Sequence, residues 1–249
     1  MIPCSLLALA VGQGDGFIFA IRESNVAGKI ILIILFIGSL ISWSVIISKW
    51  YQLHQAKNKN AQFLQALRSD RNPLHLYLKK IYFLRSPLYA LYATGCKELL
   101  YHMQYTDRSP DPPGPHPFIP RKITSTAMSA VRSALEREVG EQALQLESQM
   151  VALAIAVSGA PFLGLLGTVW GVMDTFSSIA LAGKAHLAMM APGVSGALVT
   201  TVTGLMVAIP AMFGYNYLVV TVRAHTVQLD NFAAELISIF EHYYLDTRH

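Results

Sequence analysis

The sequence predicts an all-α membrane protein with three transmembrane helices. Hydrophobic residues make up 53% of the chain and charged residues only 14%, whereas soluble domains carry about 25% charged residues. Three long windows, 30–48, 148–173 and 185–222, contain no Asp, Glu, Lys or Arg. Each window is long enough for one helix, rising about 1.5 Å per residue, to cross about 30 Å of hydrocarbon.

The first transmembrane helix is predicted over 30–48. This window is rich in Ile and Leu, lies between Lys29 and Lys49, and is followed at once by Trp50. Aromatic residues at the membrane–water interface are typical flanks of spanning helices. Residues 1–29 are then a periplasmic N-terminal segment.

The long polar region over 49–149 is predicted to be a cytoplasmic helical loop. Its basic residues outnumber its acidic ones, and cytoplasmic loops carry such an excess. Within it, 50–69 and 74–105 have helical patterns, whereas the proline-rich stretch 109–120 is incompatible with a helix. That stretch reads as a polyproline-like linker, serving as a spacer or, alternatively, as an SH3-type ligand.

A second helical pattern begins after Lys122 and leads towards the membrane. Its apolar residues recur on one face, and they are Met128, Val131, Leu135, Val139, Leu146 and Met150. No helix breaker follows Gly140, so we expect this helix to continue without interruption into the second transmembrane helix over 150–182. A helix of this kind with one apolar face is expected to join a cytoplasmic helical bundle.

The second and third transmembrane helices are rich in small residues at four-residue spacing. The third is predicted over 191–222, after a periplasmic turn over 183–190 and before a cytoplasmic C-terminal helix over 223–249. The small residues are Gly164, in register with Ala160 and Thr168, and the pair Gly167 and Gly171 in the second helix, and Gly196, Thr200, Gly204 and Ala208 in the third. Because small residues let helices approach closely in lipid, we expect this ladder to form the interfaces of a homo-oligomer.

The stretches 148–173 and 187–222 of these two helices contain no Asp, Glu, Lys, Arg or His, although an ion or proton pathway normally needs an ionisable group in the membrane. The sequence has hydroxyls instead, and Asp174 is the nearest acid, at the outer end of the second helix. A threonine in a membrane helix often does no more than bond the carbonyl four residues earlier. The titrating residue is therefore expected to belong to another polypeptide, unless these helices only anchor the chain.

Several other classes of function have no support in the sequence. Cys4 and Cys96 are far apart and form neither a disulfide framework nor a metal-binding pattern, and no His-x-x-x-His pair or phosphate-binding loop is present. We therefore expect no metal, no cofactor and no enzymatic activity. A net charge of +4 without a clustered basic face does not suggest nucleic-acid binding.

Three segments of the second and third helices resemble the TolQ/ExbB/MotA proton-channel family, closest to its TolQ/ExbB branch. They are Gly-Leu-Leu-Gly-Thr-Val-Trp-Gly-Val-Met (164–173), Ala-Pro-Gly (191–193) and Ala-Ile-Pro-Ala (208–211). Residues 39–47 and 146–149 resemble the TolQ/ExbB branch as well. The resemblance implies that Thr168 and Thr201 are pore-lining hydroxyls and that Pro210 is the family's third-span proline. Gly196 departs from the pattern, because this branch commonly has a glutamate there.

What the resemblance implies is a subunit of a pentameric stator in the bacterial inner membrane, with its N-terminus in the periplasm and its C-terminus in the cytoplasm. Its partner would be a TolR/ExbD-like single-span protein carrying a membrane aspartate. Together they would use the proton motive force to drive an envelope-spanning system, either Tol–Pal-like or TonB-like, or a motility system. The conducted ion, H⁺ or Na⁺, is left open. The alternative is a structural membrane scaffold ring without proton conduction.

Overall fold

The computed structural model describes residues 24–70, 72–105, 122–183 and 187–245, and within them the protein is almost entirely helical. The helices are α1 (Val26–Ser69), α2 (His75–Leu78), α3 (Pro87–Tyr105), α4 (Ser125–Glu147), α5 (Met150–Ala182) and α6 (Leu187–Tyr244). The described ranges contain no β-strand, only an isolated bridge between Ile123 and Leu245. The predicted all-α class is confirmed.

Three of these helices are long and apolar enough to cross a membrane, namely α1, α5 and the part of α6 from Met190 onward. Three candidate spans were expected, and the described part of the chain contains three. Most of the predicted N-terminal segment (1–23), the whole proline-rich linker (109–120) and residues 184–186 of the predicted turn lie outside the described residues.

The chain divides into two compact units, and the first contains the apolar spans: residues 1–48 and 149–218. Its core is formed where α1, α5 and α6 meet, by Ile31, Leu35, Ala160 and Ala208. At Gly214 the backbone of α6 comes close to α1, because a Cβ there would lie 2.6 Å from Ile46 Cδ1.

The second unit contains residues 49–148 and 219–249 and has an aromatic core. The fully buried ring of Phe63 contacts four other rings at centroid distances of 5.4–5.8 Å, those of Phe83, Tyr89, Tyr92 and Phe232. Edge-to-face and tilted ring contacts of this kind stabilise a core beyond the area that they bury. The Tyr92 hydroxyl donates to the Pro73 carbonyl at 2.6 Å, which ties α3 to the turn before α2.

The expected continuous helix from the 122–147 region into the second span is wrong. α4 ends at Glu147 and α5 begins at Met150, and Gln149 between them has a left-handed backbone (φ 68°). No glycine or proline marks this break in the sequence. A polar side chain from a distant part of the chain stabilises it instead.

That side chain is Lys49, which is 1% exposed. Its ammonium donates to the carbonyls of Gln145 (3.2 Å) and Leu146 (3.1 Å) and to the Ser148 hydroxyl (3.0 Å). The last carbonyls of a helix have no partners within the helix and carry its negative dipole end. Lys49 therefore caps the C-terminus of α4, while burial lowers the pKa of its ammonium.

Candidate functional site

α5 and α6 approach each other at glycine positions where no side chain would fit. A Cβ on Gly164 would lie 2.9 Å from the Thr200 carbonyl oxygen, and one on Gly204 would lie 2.6 Å from the Ala160 carbonyl oxygen. Both neighbours are backbone atoms, which cannot turn aside as a flexible side chain can. The glycines thus allow close backbone packing of α5 on α6, as is common in membrane helices.

Two further glycines of α5 extend this contact. A Cβ on Gly167 would lie 2.7 Å from Thr200 Cβ, and one on Gly171 would lie 2.7 Å from Ala197 Cβ. These glycines of α5 therefore pack on α6 of the same chain. A small-residue pattern does not distinguish contacts within a chain from contacts between copies, since both require the same close approach. The homo-oligomer itself stays a prediction.

The close approach brings three threonine hydroxyls to one backbone carbonyl, that of Gly164. The hydroxyls of Thr168, Thr200 and Thr201 lie 3.1, 3.1 and 3.0 Å from this oxygen. Thr168 Oγ1 and Thr201 Oγ1 also contact each other. The two threonines for which the sequence predicts a shared pore-lining role thus lie side by side, one on each helix.

Thr168 and Thr201 are half-buried, whereas Thr200 is fully buried. Thr168 and Thr201 are therefore at the edge of the α5–α6 contact. Along α6 that edge continues with Leu198 and Leu205, which are exposed.

The helical wheel did not identify Thr200 as part of this cluster, because it places Thr200 about 100° away from Thr201. Thr200 Oγ1 nevertheless lies 2.6 Å from the Ala197 carbonyl and 3.1 Å from that of Gly164. The sequence feature that could have identified Thr200 is its position in the four-residue ladder of small residues in the third helix. Thr203, by contrast, donates to the carbonyl of Val199 in its own helix at 2.8 Å.

Two other predicted positions lie within α6. Pro210 is inside the helix, where it cannot donate a hydrogen bond to the carbonyl four residues earlier. Gly196 is buried.

Geometry and composition together define a class of protein: a multi-span helical membrane protein with a threonine cluster between its second and third spans, in stretches (148–173 and 187–222) that contain no Asp, Glu, Lys, Arg or His. A family model described as the MotA/TolQ/ExbB proton channel family matches residues 98–231 of this chain. The chain belongs to that family.

Individual relatives agree with the assignment. The chain is 31% identical over 225 residues to the Tol-Pal system protein TolQ of Haemophilus influenzae, covering 90% of this chain and 92% of the relative. It is 28% identical to TolQ of Pseudomonas aeruginosa, covering 79% and 80%. It is 29% identical to the biopolymer transport protein ExbB of Pseudomonas putida, covering 87% of this chain and 60% of the relative.

Proposed function

We propose that this protein is an inner-membrane proton-channel stator subunit. With a TolR/ExbD-like partner it converts the proton motive force into mechanical work on an envelope-spanning system. Membership of the proton channel family supports this function. The observation that carries the proposal is the contact between the Thr168 and Thr201 hydroxyls beside the Gly164 carbonyl.

The chemistry of this cluster suits a group that alternates between two protonation states. A hydroxyl has one proton to donate and lone pairs to accept with. Thr168 and Thr201 can each donate to Gly164, or turn and donate to a carboxylate placed beside them. When that carboxylate becomes a carboxylic acid, the same hydroxyl oxygens accept a hydrogen bond from its O–H group. The cluster can therefore stabilise both states of a carboxyl group that moves past it.

The carboxyl group itself must come from the partner, since residues 148–173 and 187–222 contain no ionisable side chain other than tyrosine. An aspartate on a single-span partner helix meets this need. Burial in the membrane disfavours its ionised form and raises its pKa, so that it can be loaded with a proton. Each proton that crosses the full membrane releases about 2.3 kcal/mol per 100 mV of membrane potential.

The assembly that we propose is a pentameric ring with α5 and α6 facing a central pair of partner helices. The N-terminus lies in the periplasm and the C-terminus in the cytoplasm, in accordance with the basic residues after the first span. The named relatives belong to the Tol–Pal system and to biopolymer transport, and we place the driven system in one of these two classes.

A structural scaffold ring is the competing function, and replacement of the threonine hydroxyls separates the two. If the ring only holds other membrane proteins, Thr168→Val should leave the envelope system working. If the hydroxyls serve a proton path, the envelope system should fail while membrane insertion, oligomerisation and partner binding persist. Envelope function scored by detergent sensitivity, with the complex isolated in parallel, decides between them.

A further inference from the structure

A polar cavity of about 170 Å³ lies at the end of α5, within the first unit. It is open to solvent on one side, and Asp174 on its wall is exposed. The polar residues that line it are Asn25, Asp174, Thr175 and Ser178, and the rest of its wall is formed by Ile179 and by the small residues Gly171, Gly193 and Ala197. A Cβ on Gly193 would overlap Thr175 Oγ1, so glycine keeps the α6 side of this cavity free.

The two hydroxyls in this cavity have already used their protons. Thr175 Oγ1 donates to the Gly171 carbonyl at 2.8 Å, and Ser178 Oγ donates to the backbone carbonyl of Asp174 at 3.0 Å. A hydroxyl has a single proton but two lone pairs. Towards an ion or molecule bound in the cavity, these two oxygens can therefore act only as acceptors.

Asn25 also favours a bound group that needs acceptor oxygens. Its side-chain oxygen is held by the backbone N–H of Gly28 at 2.8 Å, which fixes the orientation of the amide. Its amide nitrogen then points at Asp174 Oδ2, 3.4 Å away. This bond holds the carboxylate at the cavity wall and leaves its other oxygen for a guest. A carboxylate with two acceptor hydroxyls suits a small cation, because hard cations prefer oxygen ligands.

The cavity also adjoins the threonine cluster. Gly171 and Ala197 line it, and the carbonyl of Ala197 lies 3.4 Å from Thr168 Oγ1. Asp174 follows Thr168 by six residues, which is about 9 Å along a helix. It is the first ionisable residue on that side of Thr168 in α5.

We infer that this cavity is a cation-binding vestibule in which Asp174 holds a hydronium or alkali-metal ion before it reaches Thr168 and Thr201. This inference rests on the proposed function for its role, but the binding itself does not. A cleft of one sign of charge raises the local concentration of counter-ions and their on-rates by about 10- to 1,000-fold.

Binding is tested first on the purified chain in lipid nanodiscs, without any partner. Infrared difference spectra are recorded between two pH values, and between NaCl and choline chloride at constant pH. A carboxylate band that responds to Na⁺ at constant pH identifies a bound alkali-metal ion, whereas a band that responds to pH alone reports proton uptake by a carboxylate. This band should vanish in Asp174→Asn and persist, shifted, in Asp174→Glu. A spectrum of Asp174→Asn identical to that of the wild type in both arms overturns the inference.

The role in supply is tested by ion flux in vesicles containing the complex with its partner. Asp174→Asn should lower the initial rate at least threefold at alkaline pH or low Na⁺, and less when the cation is abundant. Asp174→Glu should restore the rate, and Asp230→Asn in the second unit should leave it unchanged. If Asp174→Asn conducts like the wild type at every concentration while Thr168→Val does not, the vestibule is refuted and the proposed function stands. If Thr168→Val also conducts normally, the proposed function fails independently.

Discussion

The hydroxyls of Thr168 and Thr201 contact each other across the α5–α6 interface, and both lie within 3.1 Å of the Gly164 carbonyl oxygen. Glycine at 164 makes this arrangement possible, because a Cβ there would lie 3.0 Å from Thr201 Cα. Helix packing and the proposed proton chemistry therefore depend on the same few residues.

The packing of α5 on α6 predicts that Gly204→Ala is destabilising. The new methyl group would lie 2.6 Å from the Ala160 carbonyl oxygen, so the helices must move apart. Overpacking of this kind costs about 1–3 kcal/mol. SDS-induced unfolding, followed by tryptophan fluorescence, measures the loss.

Gly159→Ala is the matched control, since a Cβ at Gly159 meets nothing within 4 Å. We expect it to change the free energy of unfolding by no more than about 0.5 kcal/mol. Equal losses for the two variants would contradict the contact between α5 and α6 at Gly204.

The capping of α4 by Lys49 predicts that Lys49→Met destabilises the second unit. The variant leaves the carbonyls of Gln145 and Leu146 without their charged donor, and a hydrogen bond to a charged group contributes about 1.5–3 kcal/mol. In a Cys4→Ser background, Cys96 is the sole cysteine and is fully buried. A thiol-reactive dye then reports thermal unfolding around it.

Lys59→Met is the comparison for this experiment, because Lys59 bonds Gln62 at the exposed surface of the same helix. The midpoint temperature of thermal unfolding of Lys59→Met should stay close to that of the Cys4→Ser parent. A midpoint for Lys49→Met that is no lower than that of Lys59→Met would show that the cap contributes nothing.

The burial of His225 predicts that the folded protein loses stability in mild acid. His225 is 7% exposed and its Nδ1 has no hydrogen-bond partner, and burial together with the charge of Lys57 lowers its pKa. The unfolded chain therefore takes up a proton near pH 6.5 while the folded one does not. Stability should fall as pH drops from about 6.5 towards the lowered pKa, by at most about 1.4 kcal/mol per pH unit.

The same Cys96 assay, run as a pH series, measures this dependence. The wild type should lose stability more steeply than His225→Phe, and Lys57→Met should flatten the slope by removing the repelling charge. If the stability of the wild type and of His225→Phe falls with pH at the same slope, His225 is not the cause of the acid sensitivity.

The proposed orientation predicts that Ser109→Cys and Lys184→Cys face opposite sides of the membrane. In a Cys4→Ser background, an impermeant maleimide added to spheroplasts should label position 184, whereas position 109 should need permeabilisation. Labelling of both positions in intact spheroplasts would reject the topology.

Much of the fold follows from the sequence because the membrane is a demanding solvent. Uncharged windows of sufficient length have few alternatives to spanning helices, and a motif with Thr168 and Thr201 at fixed positions indicated which hydroxyls to pair. Local patterns could not show the break at Gln149, because its cause is Lys49, about 100 residues away along the chain. They could not show which helix the glycines of α5 contact, nor that Thr200 shares the Gly164 carbonyl.

The most direct measurement of the central claim is proton flux through the complex in vesicles, driven by an imposed membrane potential. Thr168→Val and Thr201→Val keep the side-chain volume nearly constant but remove the hydroxyl, whereas Thr203→Val removes a hydroxyl that bonds the Val199 carbonyl within its own helix. We predict that the first two variants assemble with the partner but conduct at least about tenfold more slowly, and that Thr203→Val conducts nearly as well as the wild type. Normal flux through both Thr168→Val and Thr201→Val would contradict the account and favour the scaffold.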